Sequence, residues 1–247
     1  MSLEKEISLW LKDYLTNNNL KSFVIGISGG IDSAVTSTLC AMTGFKTIVV
    51  TMPIHQNPEE TNRGIKHCSW LNSKYNNSEM LNIDLTDTYN KFVDSIPGKF
   101  NNKLALANLK ARIRMSALYT VAGNSNGIVV GTGNKIEDFG VGFFTKYGDG
   151  GVDISPIADL MKSEVYDLGK RLNIIHEIMI AKPTDGLWDD GRTDEDQLGV
   201  SYDELEWAME YNGEEINERQ KEILDIYKKH RNVNLHKMKN IPIFKKK

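Results

Sequence analysis

The chain alternates two hydrophobic patterns along its length. Short runs of apolar and β-branched residues are separated by longer segments in which apolar residues recur every three or four positions. The short runs are typical of buried strands, and the longer periodic segments are typical of helices that cover a sheet. Strands are predicted at 23–27, 47–52, 80–85 and 128–132, and helices at 7–15, 32–42, 60–71, 86–94, 104–122, 160–172, 201–211 and 214–229.

These elements predict one α/β domain over residues 1–247, with a doubly wound parallel sheet of about five strands and helices on both faces. Two stretches lack a regular pattern. Residues 182–199 are rich in glycine and aspartate, and long loops of this kind in compact domains tend to be functional lids or disordered segments, so mobility without ligand is expected. The tail at about 230–247 mixes histidine, lysine and proline, which predicts a solvated end.

The composition is that of an ordinary globular protein. The 247 residues include 30 Lys and Arg against 33 Asp and Glu, a formal charge of −3, so no overall attraction to nucleic acid or to an anionic membrane is expected. No apolar run approaches the roughly 18 residues of a membrane helix, and the charged N-terminus does not resemble a signal peptide. We expect a cytoplasmic protein in which Cys40 and Cys68 are packing residues.

A glycine-rich loop stands at the end of the first predicted strand and leads into a helix. Glycines let successive backbone N–H groups converge on an anion, and the N-terminus of the following helix adds partial positive charge, so the loop is expected to bind phosphate. The alternative is a tight turn in which Asp32 or Ser33 only caps the helix. The loop comprises Gly26, Ile27, Ser28, Gly29, Gly30, Ile31, Asp32 and Ser33.

This loop differs from the familiar nucleotide-binding motifs. The chain contains neither the glycine–lysine pattern of P-loops nor a complete G-x-G-x-x-G. Where a P-loop has its lysine, this loop has Asp32. A carboxylate beside phosphates is expected to bind Mg²⁺, because a bare carboxylate would be repelled.

The string SGGIDS at 28–33 resembles the pyrophosphatase loop of amidotransferases and adenylating enzymes that cleave ATP between its α and β phosphates. Further motifs narrow this resemblance to the NAD synthetase family, whose fold is Rossmann-like and of the adenine nucleotide alpha hydrolase type. These motifs are NLKARIRM at 108–115, GTGNKIE at 131–137, FTKYGDGGVD at 144–153, DLMK at 159–162, KPTDGLW at 182–188 and TDEDQLG at 193–199.

The resemblance runs from about residue 20 to 237 and implies a reaction. That reaction is the ATP-dependent amidation of nicotinic acid adenine dinucleotide (deamido-NAD) to NAD, the last step of NAD biosynthesis. The nicotinate carboxylate attacks ATP to form an NAD-adenylate, which ammonia then displaces, and AMP and pyrophosphate are released. Mg²⁺ as a cofactor and a homodimeric assembly are also implied.

The resemblance assigns expected roles to individual residues. Asp32 and Lys162 are the expected catalytic residues, and Asp32 and Glu137 are the expected Mg²⁺ ligands. The alternatives without a functional role are that these residues form surface ion pairs or helix caps, and that Arg112 occupies a packing position on its helix. ATP is expected to contact the loop 26–33, Thr132, Lys162 and Thr184, and deamido-NAD is expected to contact Arg112, Lys146, Asp153, His236 and Lys237.

The chain departs from the usual family pattern in several places. Between Glu137 and Lys146 it is one residue longer than the commonest spacing, which makes Asp138 an alternative metal ligand. The segment 53–62 is short, so no adenine contact is assigned to it. Glutamine-using relatives carry an extra N-terminal domain with a catalytic cysteine, and only about twenty residues precede the first predicted strand. We therefore expect no glutaminase domain, and free ammonia or a separate subunit as the nitrogen source.

Three other functions stay open at this point. A relative with the same loop could adenylate a tRNA base or an amino acid, although the lack of a basic stripe counts against tRNA. A nucleotide sensor would bind ATP and release no pyrophosphate. A structural module, in which the glycines serve only geometry, would not bind ATP.

Overall fold

Four parallel strands form the centre of the computed structural model, which describes residues 1–184, 186–187 and 192–246. The strands run in the order β3-β2-β1-β4. The predicted parallel sheet is confirmed, but it has four strands rather than about five. Its members are β1 (Ser22–Gly26), β2 (Lys46–Thr51), β3 (Ser78–Asn82) and β4 (Gly127–Val129).

The expected fifth strand is reduced to a single bridge beside β4. Val130 pairs with Ile154 in parallel register, and the Gly131 N–H donates to the Ile154 carbonyl oxygen at 2.8 Å. Glycines at 150–151 precede this bridge and Pro156 follows it. Both residue types disfavour a longer regular strand, so the pairing ends almost as soon as it begins.

Helices surround the sheet. Among the described residues, no helix is both long and apolar enough to cross a membrane. The α-helices are α1 (Leu3–Asn17), α2 (Ile31–Met42), α3 (Pro58–Lys74), α4 (Thr86–Ser95), α5 (Lys103–Asn124), α6 (Lys162–Leu172), α7 (His176–Met179), α8 (Asp194–Leu198), α9 (Tyr202–Glu210) and α10 (Glu218–Met238), with a 3₁₀ turn at Gly98–Phe100 and a π-helix at Lys135–Val141.

The side chains of β1 alternate between two apolar cores. Phe23 and Ile25 pack on one face of the sheet with α1, α2, α3, α6 and α7. Val24 packs on the opposite face with α4 and α5. Helices therefore cover both faces, as expected of a doubly wound fold. Cys40 and Cys68 are free and buried in the first core, which confirms their packing role.

The three C-terminal helices form a third apolar cluster around the π-helix. Leu198 of α8, Leu205 of α9 and Leu224 of α10 pack in this cluster with Ile136 of the π-helix. Because Glu137 follows Ile136 directly, this packing fixes the backbone of a predicted site residue. The cluster thus connects the end of the chain to the ligand-binding edge of the sheet.

Both stretches that were predicted to be irregular contain helix. α8 lies within 182–199, although residues 185 and 188–191, where part of the predicted mobile lid falls, lie outside the described residues. α10 continues to Met238, so the expected tail from about residue 230 is helical over its first turns. Beyond residue 229, Arg231 donates to the Phe139 and Gly140 carbonyl oxygens. Long-range contacts of this kind stabilise a helix whose own pattern is polar.

Candidate active site

The glycine-rich loop lies where β1 ends and α2 begins, at the edge where ligands bind in open parallel sheets. Gly29 has a φ of +88°, and a Cβ atom there would lie 2.5 Å from the Glu60 carbonyl oxygen and 3.1 Å from the Gly64 nitrogen. Both the backbone conformation and this close approach to α3 require glycine. The loop is therefore pressed against the first turns of α3.

Serine hydroxyls brace the loop from within. The Ser33 hydroxyl donates to the Gly30 carbonyl oxygen at 3.0 Å, and the Ser28 N–H donates to Ser33 Oγ at 3.3 Å. Gly30 is the N-cap residue of α2, and no side chain caps the helix. Capping of this helix by Asp32 or Ser33 is therefore wrong, while phosphate binding by the loop stays a prediction. A helix that begins without a side-chain cap leaves its first N–H groups for an anion.

Three predicted site residues meet in a buried ion cluster. Lys162 Nζ lies 2.6 Å from Asp32 Oδ2 and 2.9 Å from Glu137 Oε1, and the lysine side chain is only 3 % exposed. The charges come from α2, the π-helix and α6, so they meet only in the folded chain. We call Asp32, Glu137 and Lys162 the inner cluster. It is an interior assembly rather than a surface ion pair.

Burial and mutual charge set the protonation of the inner cluster. Burial would lower the pKa of Lys162, but the two carboxylates raise it above its ordinary value, so the ammonium form is retained. Burial raises the pKa of Asp32 despite the neighbouring lysine charge. Burial also opposes ionisation of Glu137, but Lys162 and the Tyr202 hydroxyl bring its pKa below its ordinary value.

Tyr202 completes the cluster and was not selected from the sequence. Its hydroxyl lies 2.5 Å from Glu137 Oε1 and 3.1 Å from Asp194 Oδ2. Its ring lies 4.8 Å from Lys162 Nζ, a distance at which an ammonium is attracted to the ring face. The capping box of Ser201 and Glu204 could have located the start of α9 beside it. Nothing local in the sequence indicates that the tyrosine reaches Glu137.

Asn134 is a second site residue that sequence reasoning did not select, although it stands in the GTGNKIE motif. Its Oδ1 accepts hydrogen bonds from the N–H groups of Ile136 and Glu137, at 3.1 and 3.0 Å, and so caps the π-helix. Its Nδ2 donates to Asp32 Oδ1 at 3.0 Å. The buried Asn134 amide therefore orients the backbone at Glu137 and the carboxylate side chain of Asp32.

A π-helix, whose turns hold more residues than those of an α-helix, spans Lys135–Val141 and includes Glu137. That the stretch from Glu137 to Lys146 is one residue longer than usual stays a prediction. Glu137, rather than Asp138, carries the carboxylate that meets Lys162. Asp138 is packed instead against Gly133, and burial, followed by neighbouring carboxylates, raises the pKa of Asp138 well above its ordinary value.

The two threonines expected to contact ATP lie near the glycine-rich loop. Thr132 follows β4, whose neighbour β1 leads into that loop. The Thr184 hydroxyl donates to Glu60 Oε1 at 3.1 Å and accepts from the Gly186 N–H at 3.0 Å. Since the Glu60 carbonyl also approaches Gly29, Thr184 is held on the part of α3 that contacts the loop.

Four of the five residues expected to bind deamido-NAD form a second group, which we call the outer cluster: Arg112, Lys146, His236 and Lys237. Arg112 Nε donates to the Lys146 carbonyl oxygen at 3.3 Å, and Lys146 Nζ donates to the His236 carbonyl oxygen at 3.4 Å. Lys237 Nζ donates to the Phe144 carbonyl oxygen at 2.6 Å. These three cationic side chains therefore bind backbone oxygens rather than carboxylates.

Asp153, the fifth of these residues, lies at the edge of the sheet. Its Oδ2 accepts from the Val129 N–H at 2.8 Å, and its Oδ1 accepts from the Tyr119 hydroxyl at 3.0 Å. Tyr119 is two turns along α5 from Arg112, and therefore on the same helix face. In the structure Asp153 closes the end of β4, and its contact with substrate stays a prediction.

The inner cluster has the chemistry of a hard-cation site. Asp32 and Glu137 present carboxylate oxygens, and Mg²⁺ commonly binds one or two carboxylates together with waters and substrate phosphates. The Lys162 ammonium between them demonstrates that the pair accommodates a positive charge. Over the described ranges, no group of three or more His, Cys, Asp or Glu side chains is arranged for a metal. The residues thus fit a cation that is shared with phosphate.

A parallel sheet with a glycine-rich loop and a buried lysine–carboxylate cluster at its ligand-binding edge defines a nucleotide-binding α/β enzyme of the pyrophosphatase-loop class. Comparison with known sequences narrows this class. The chain belongs to the NAD synthase family, whose sequence model matches residues 3–247. The NH(3)-dependent NAD(+) synthetase of Alkaliphilus oremlandii is 39 % identical over 233 residues, which cover 90 % of this chain and 89 % of that protein.

Solved structures show the same similarity. The NMN synthetase from Francisella tularensis superposes with a TM-score of 0.88 and 34 % identity, covering 98 % of this chain and 96 % of that one. The NH3-dependent NAD synthetase from Campylobacter jejuni superposes with a TM-score of 0.79 and 27 % identity, covering 99 % and 100 %. The expected fold and family are confirmed.

Proposed function

We propose that this chain is an ammonia-dependent NAD synthetase, a carbon–nitrogen ligase that uses ATP to amidate deamido-NAD. The inner cluster at the end of the glycine-rich loop carries the proposal, because it combines a retained ammonium with two carboxylates beside a helix N-terminus. The relatives support the substrate and the nitrogen donor. Proteins named NH(3)-dependent NAD(+) synthetase align with 90 % and 94 % of this chain at 39 % and 36 % identity.

The first proposed step activates the nicotinate carboxylate. One carboxylate oxygen bonds to the α-phosphorus of ATP, the bond from that phosphorus to the β-bridging oxygen breaks, and pyrophosphate leaves with the electron pair. The acyl group then carries AMP, a far better leaving group than oxide. Negative charge grows on the pyrophosphate as it leaves. We propose that the N–H groups of 28–33 and the Lys162 ammonium stabilise this charge, since preorganised donors do so at little reorganisation cost.

The second proposed step forms the amide. Ammonia attacks the carbonyl carbon of the adenylate, AMP leaves with the former carboxylate oxygen, and the new nitrogen releases one proton to solvent. The protein's part is to hold the two reactants in contact and to exclude water from the adenylate. Ammonia is the proposed donor because the similar curated proteins bear NH(3)-dependent in their names.

We propose Mg²⁺ as the cofactor, with Asp32 and Glu137 as its protein ligands. When bound, the ion neutralises phosphate charge at the reacting centre. Asn134 orients the Asp32 carboxylate, and Tyr202 orients that of Glu137, through the hydrogen bonds described above. With the ion held by Asp32 and Glu137, the Lys162 ammonium beside them would be available to the pyrophosphate oxygens.

The outer cluster is proposed to bind the diphosphate of deamido-NAD, with Asp153 nearby. The guanidinium fork of Arg112 suits a phosphate, since its N–H groups can bind two oxygens at once. Thr132 and Thr184 are the proposed hydroxyl contacts to ATP. A homodimeric assembly is likewise a proposal, and it rests on the family resemblance. A cytoplasmic location is also a proposal, and it rests on the sequence pattern alone.

A second acceptor is favoured by one observation. The structure with a TM-score of 0.88 is described as an NMN synthetase, which points to nicotinic acid mononucleotide as a substrate that this fold accepts. The reaction at the carboxylate would be the same. The two candidates differ only in whether the adenylyl half of the acceptor contributes to binding.

Pyrophosphate release tests the proposal. The chain is incubated with ATP, Mg²⁺ and ammonium, and either deamido-NAD, the mononucleotide or no acceptor is added. Release that depends on deamido-NAD and equals the NAD formed supports the synthetase. A higher kcat/KM with the mononucleotide supports the second candidate. ATP binding without release, or release stimulated only by an amino acid or tRNA, would overturn both.

A further inference from the structure

A hydrogen-bonded path leads from the inner cluster to α8. The Tyr202 hydroxyl lies 2.5 Å from Glu137 Oε1 and 3.1 Å from Asp194 Oδ2. Tyr202 begins α9 and is 6 % exposed, while Asp194 begins α8 and is 5 % exposed. A single hydroxyl group therefore joins the π-helix to α8 in the interior of the protein.

Asp194 also closes the base of the segment that precedes it. Its backbone N–H donates to the Pro183 carbonyl oxygen at 3.1 Å, so residues 183 and 194 are held together. Thr184, the proposed ATP contact, is the first residue beyond that closure. Tyr202 therefore has a short covalent and hydrogen-bonded connection to Thr184 as well as to Glu137.

We propose that Tyr202 is a positioning residue that couples the inner cluster to the segment carrying Thr184. Its hydroxyl orients Glu137 and holds Asp194, and through Asp194 it fixes the base of that segment. The part of this inference that concerns ATP rests on the proposed function. The part that concerns the attachment of α8 does not.

The coupling follows from the hydrogen inventory of the hydroxyl. A phenol has one hydrogen to donate, and the Tyr202 hydroxyl is the donor in both contacts, so Glu137 Oε1 and Asp194 Oδ2 compete for the same hydrogen. Positive charge placed beside Glu137 weakens the attraction of that carboxylate for the hydrogen. The hydrogen then becomes available to Asp194, and α8 is held more tightly when the cation site is filled. Linkage requires the reverse effect as well.

Tyr202→Phe isolates the hydroxyl. Phenylalanine keeps the ring in the third apolar cluster and keeps the face that lies 4.8 Å from Lys162 Nζ. Tyr211→Phe is the matched control, because Tyr211 ends the same helix and its hydroxyl donates at 2.7 Å to the Glu214 carbonyl oxygen, away from both carboxylates.

Hydrogen exchange of the backbone amides in 192–199 tests the attachment without any ligand. Losing a hydrogen bond to a charged group should accelerate exchange in this range about tenfold or more in Tyr202→Phe, with α1 unchanged and Tyr211→Phe like wild type. Wild-type exchange in Tyr202→Phe would overturn the proposal. In an Asp194→Ala background, Tyr202→Phe should add nothing, and additive effects would also contradict it.

Kinetics test the coupling to ATP. We expect Tyr202→Phe to raise the KM for ATP, and the Mg²⁺ concentration for half-maximal rate, by roughly 10- to 100-fold, as is usual for groups that orient ligand-bearing carboxylates. The KM for deamido-NAD should change less than about twofold, because the outer cluster is untouched. A merely structural defect would lower kcat alone, and that result would overturn the ATP part of the proposal.

The two kinds of failure are distinguishable. Wild-type protein that releases no pyrophosphate with either acceptor refutes the proposed function, whereas the exchange experiment still reports on Tyr202. Active wild-type protein with an unchanged Tyr202→Phe variant refutes the coupling alone.

Discussion

The inner and outer clusters contain similar charged residues but hold them differently. In the inner cluster, Lys162 is 3 % exposed and is fixed by two carboxylates at 2.6 and 2.9 Å. In the outer cluster, Arg112 is exposed, and its Nε donates to a backbone oxygen at 3.3 Å. The inner charges are thus balanced by direct ion pairs, whereas Arg112, Lys146 and Lys237 donate to backbone carbonyl oxygens.

This difference indicates how each cluster meets an anion. The inner cluster is built before ligand binds, since its members come from three elements and are held by buried hydrogen bonds. Arg112 of the outer cluster must exchange its contact with a backbone oxygen at 3.3 Å for a phosphate, which costs little because exposed backbone carbonyls are easily hydrated. Variants in the first should therefore affect stability and chemistry together, and variants in the second should affect binding alone.

The largest expected effect comes from Lys162→Met. It leaves two buried carboxylates without their cation, which should cost about 3–5 kcal/mol of unfolding free energy, and it removes a donor to the leaving group, which should lower turnover by about 10³-fold or more. Urea unfolding and pyrophosphate release measure the two effects. Lys146→Met is the matched control and should lose less than about 0.5 kcal/mol. Equal losses in the two variants would abolish the distinction between the clusters.

Asp32→Asn should lower turnover far more than it lowers stability. We expect turnover to fall by about 10³-fold, while the unfolding free energy changes by no more than about 1–2 kcal/mol because Glu137 still neutralises Lys162. Some loss of stability is expected because Asp32 is an ion-pair partner of the buried Lys162 and not an isolated surface carboxylate. Thermal unfolding beside the activity assay checks both. A stability loss as large as that of Lys162→Met would give Asp32 a structural role.

The buried His67 allows a pH titration of a site that, unlike the inner cluster, is not built from ion pairs. His67 is fully buried with Nε2 2.8 Å from Ser37 Oγ, and burial lowers its pKa to about 4. Because histidine in the unfolded chain titrates near 6.5, the unfolded state binds more protons between these two values. Stability from His67 is therefore complete above about pH 6.5 and is lost as the pH falls toward 4.

Between pH 7 and 5 this group should cost about 2 kcal/mol of unfolding free energy. His67→Gln should remove that part of the pH dependence, whatever its effect on stability at pH 7. Urea unfolding at both pH values for both proteins provides the test. If the unfolding free energy of the variant falls by the same amount between pH 7 and 5, groups other than His67 cause the acid sensitivity. The carboxylates of the inner cluster would be the next candidates.

The smallest expected effect comes from Arg112→Lys in the outer cluster. An ammonium cannot reproduce the guanidinium fork, so the KM for deamido-NAD should rise about tenfold, with the KM for ATP and the melting temperature unchanged. Arg171→Lys on α6 is the matched surface control. A change in the KM for ATP instead would mean that Arg112 belongs to the ATP side of the site.

Local patterns predicted every strand of the sheet and most helices, because apolar periodicity directly records which face of an element is buried. These patterns did not predict elements whose length is set by tertiary contacts or by neighbouring residues. The end of α10 is polar, but Arg231 and Asn234 donate hydrogen bonds to carbonyl oxygens of the π-helix. The missing fifth strand has a suitable residue, Ile154, between glycines and a proline that shorten its pairing.

The charged residues of the candidate site were predictable from the sequence, but the residues that orient them were not. Asp32, Glu137 and Lys162 stand in recognisable motifs, and the structure brings them together. Tyr202 contacts Glu137 and Asn134 contacts Asp32 across long stretches of the chain, so a single sequence gives no signal for these two contacts. Asp194 lies in a capping box that begins at Thr193, and this signal predicts α8 but not its link to Tyr202.

An oxygen-label experiment tests the proposed chemistry most directly. Deamido-NAD labelled with ¹⁸O at both oxygens of its nicotinate carboxylate is converted with ATP and ammonium, and the products are analysed by mass spectrometry. Attack of the carboxylate on the α-phosphorus predicts one ¹⁸O in AMP and one in the NAD amide. Unlabelled AMP, or ADP formed together with labelled inorganic phosphate, would contradict cleavage of ATP between its α and β phosphates by this site.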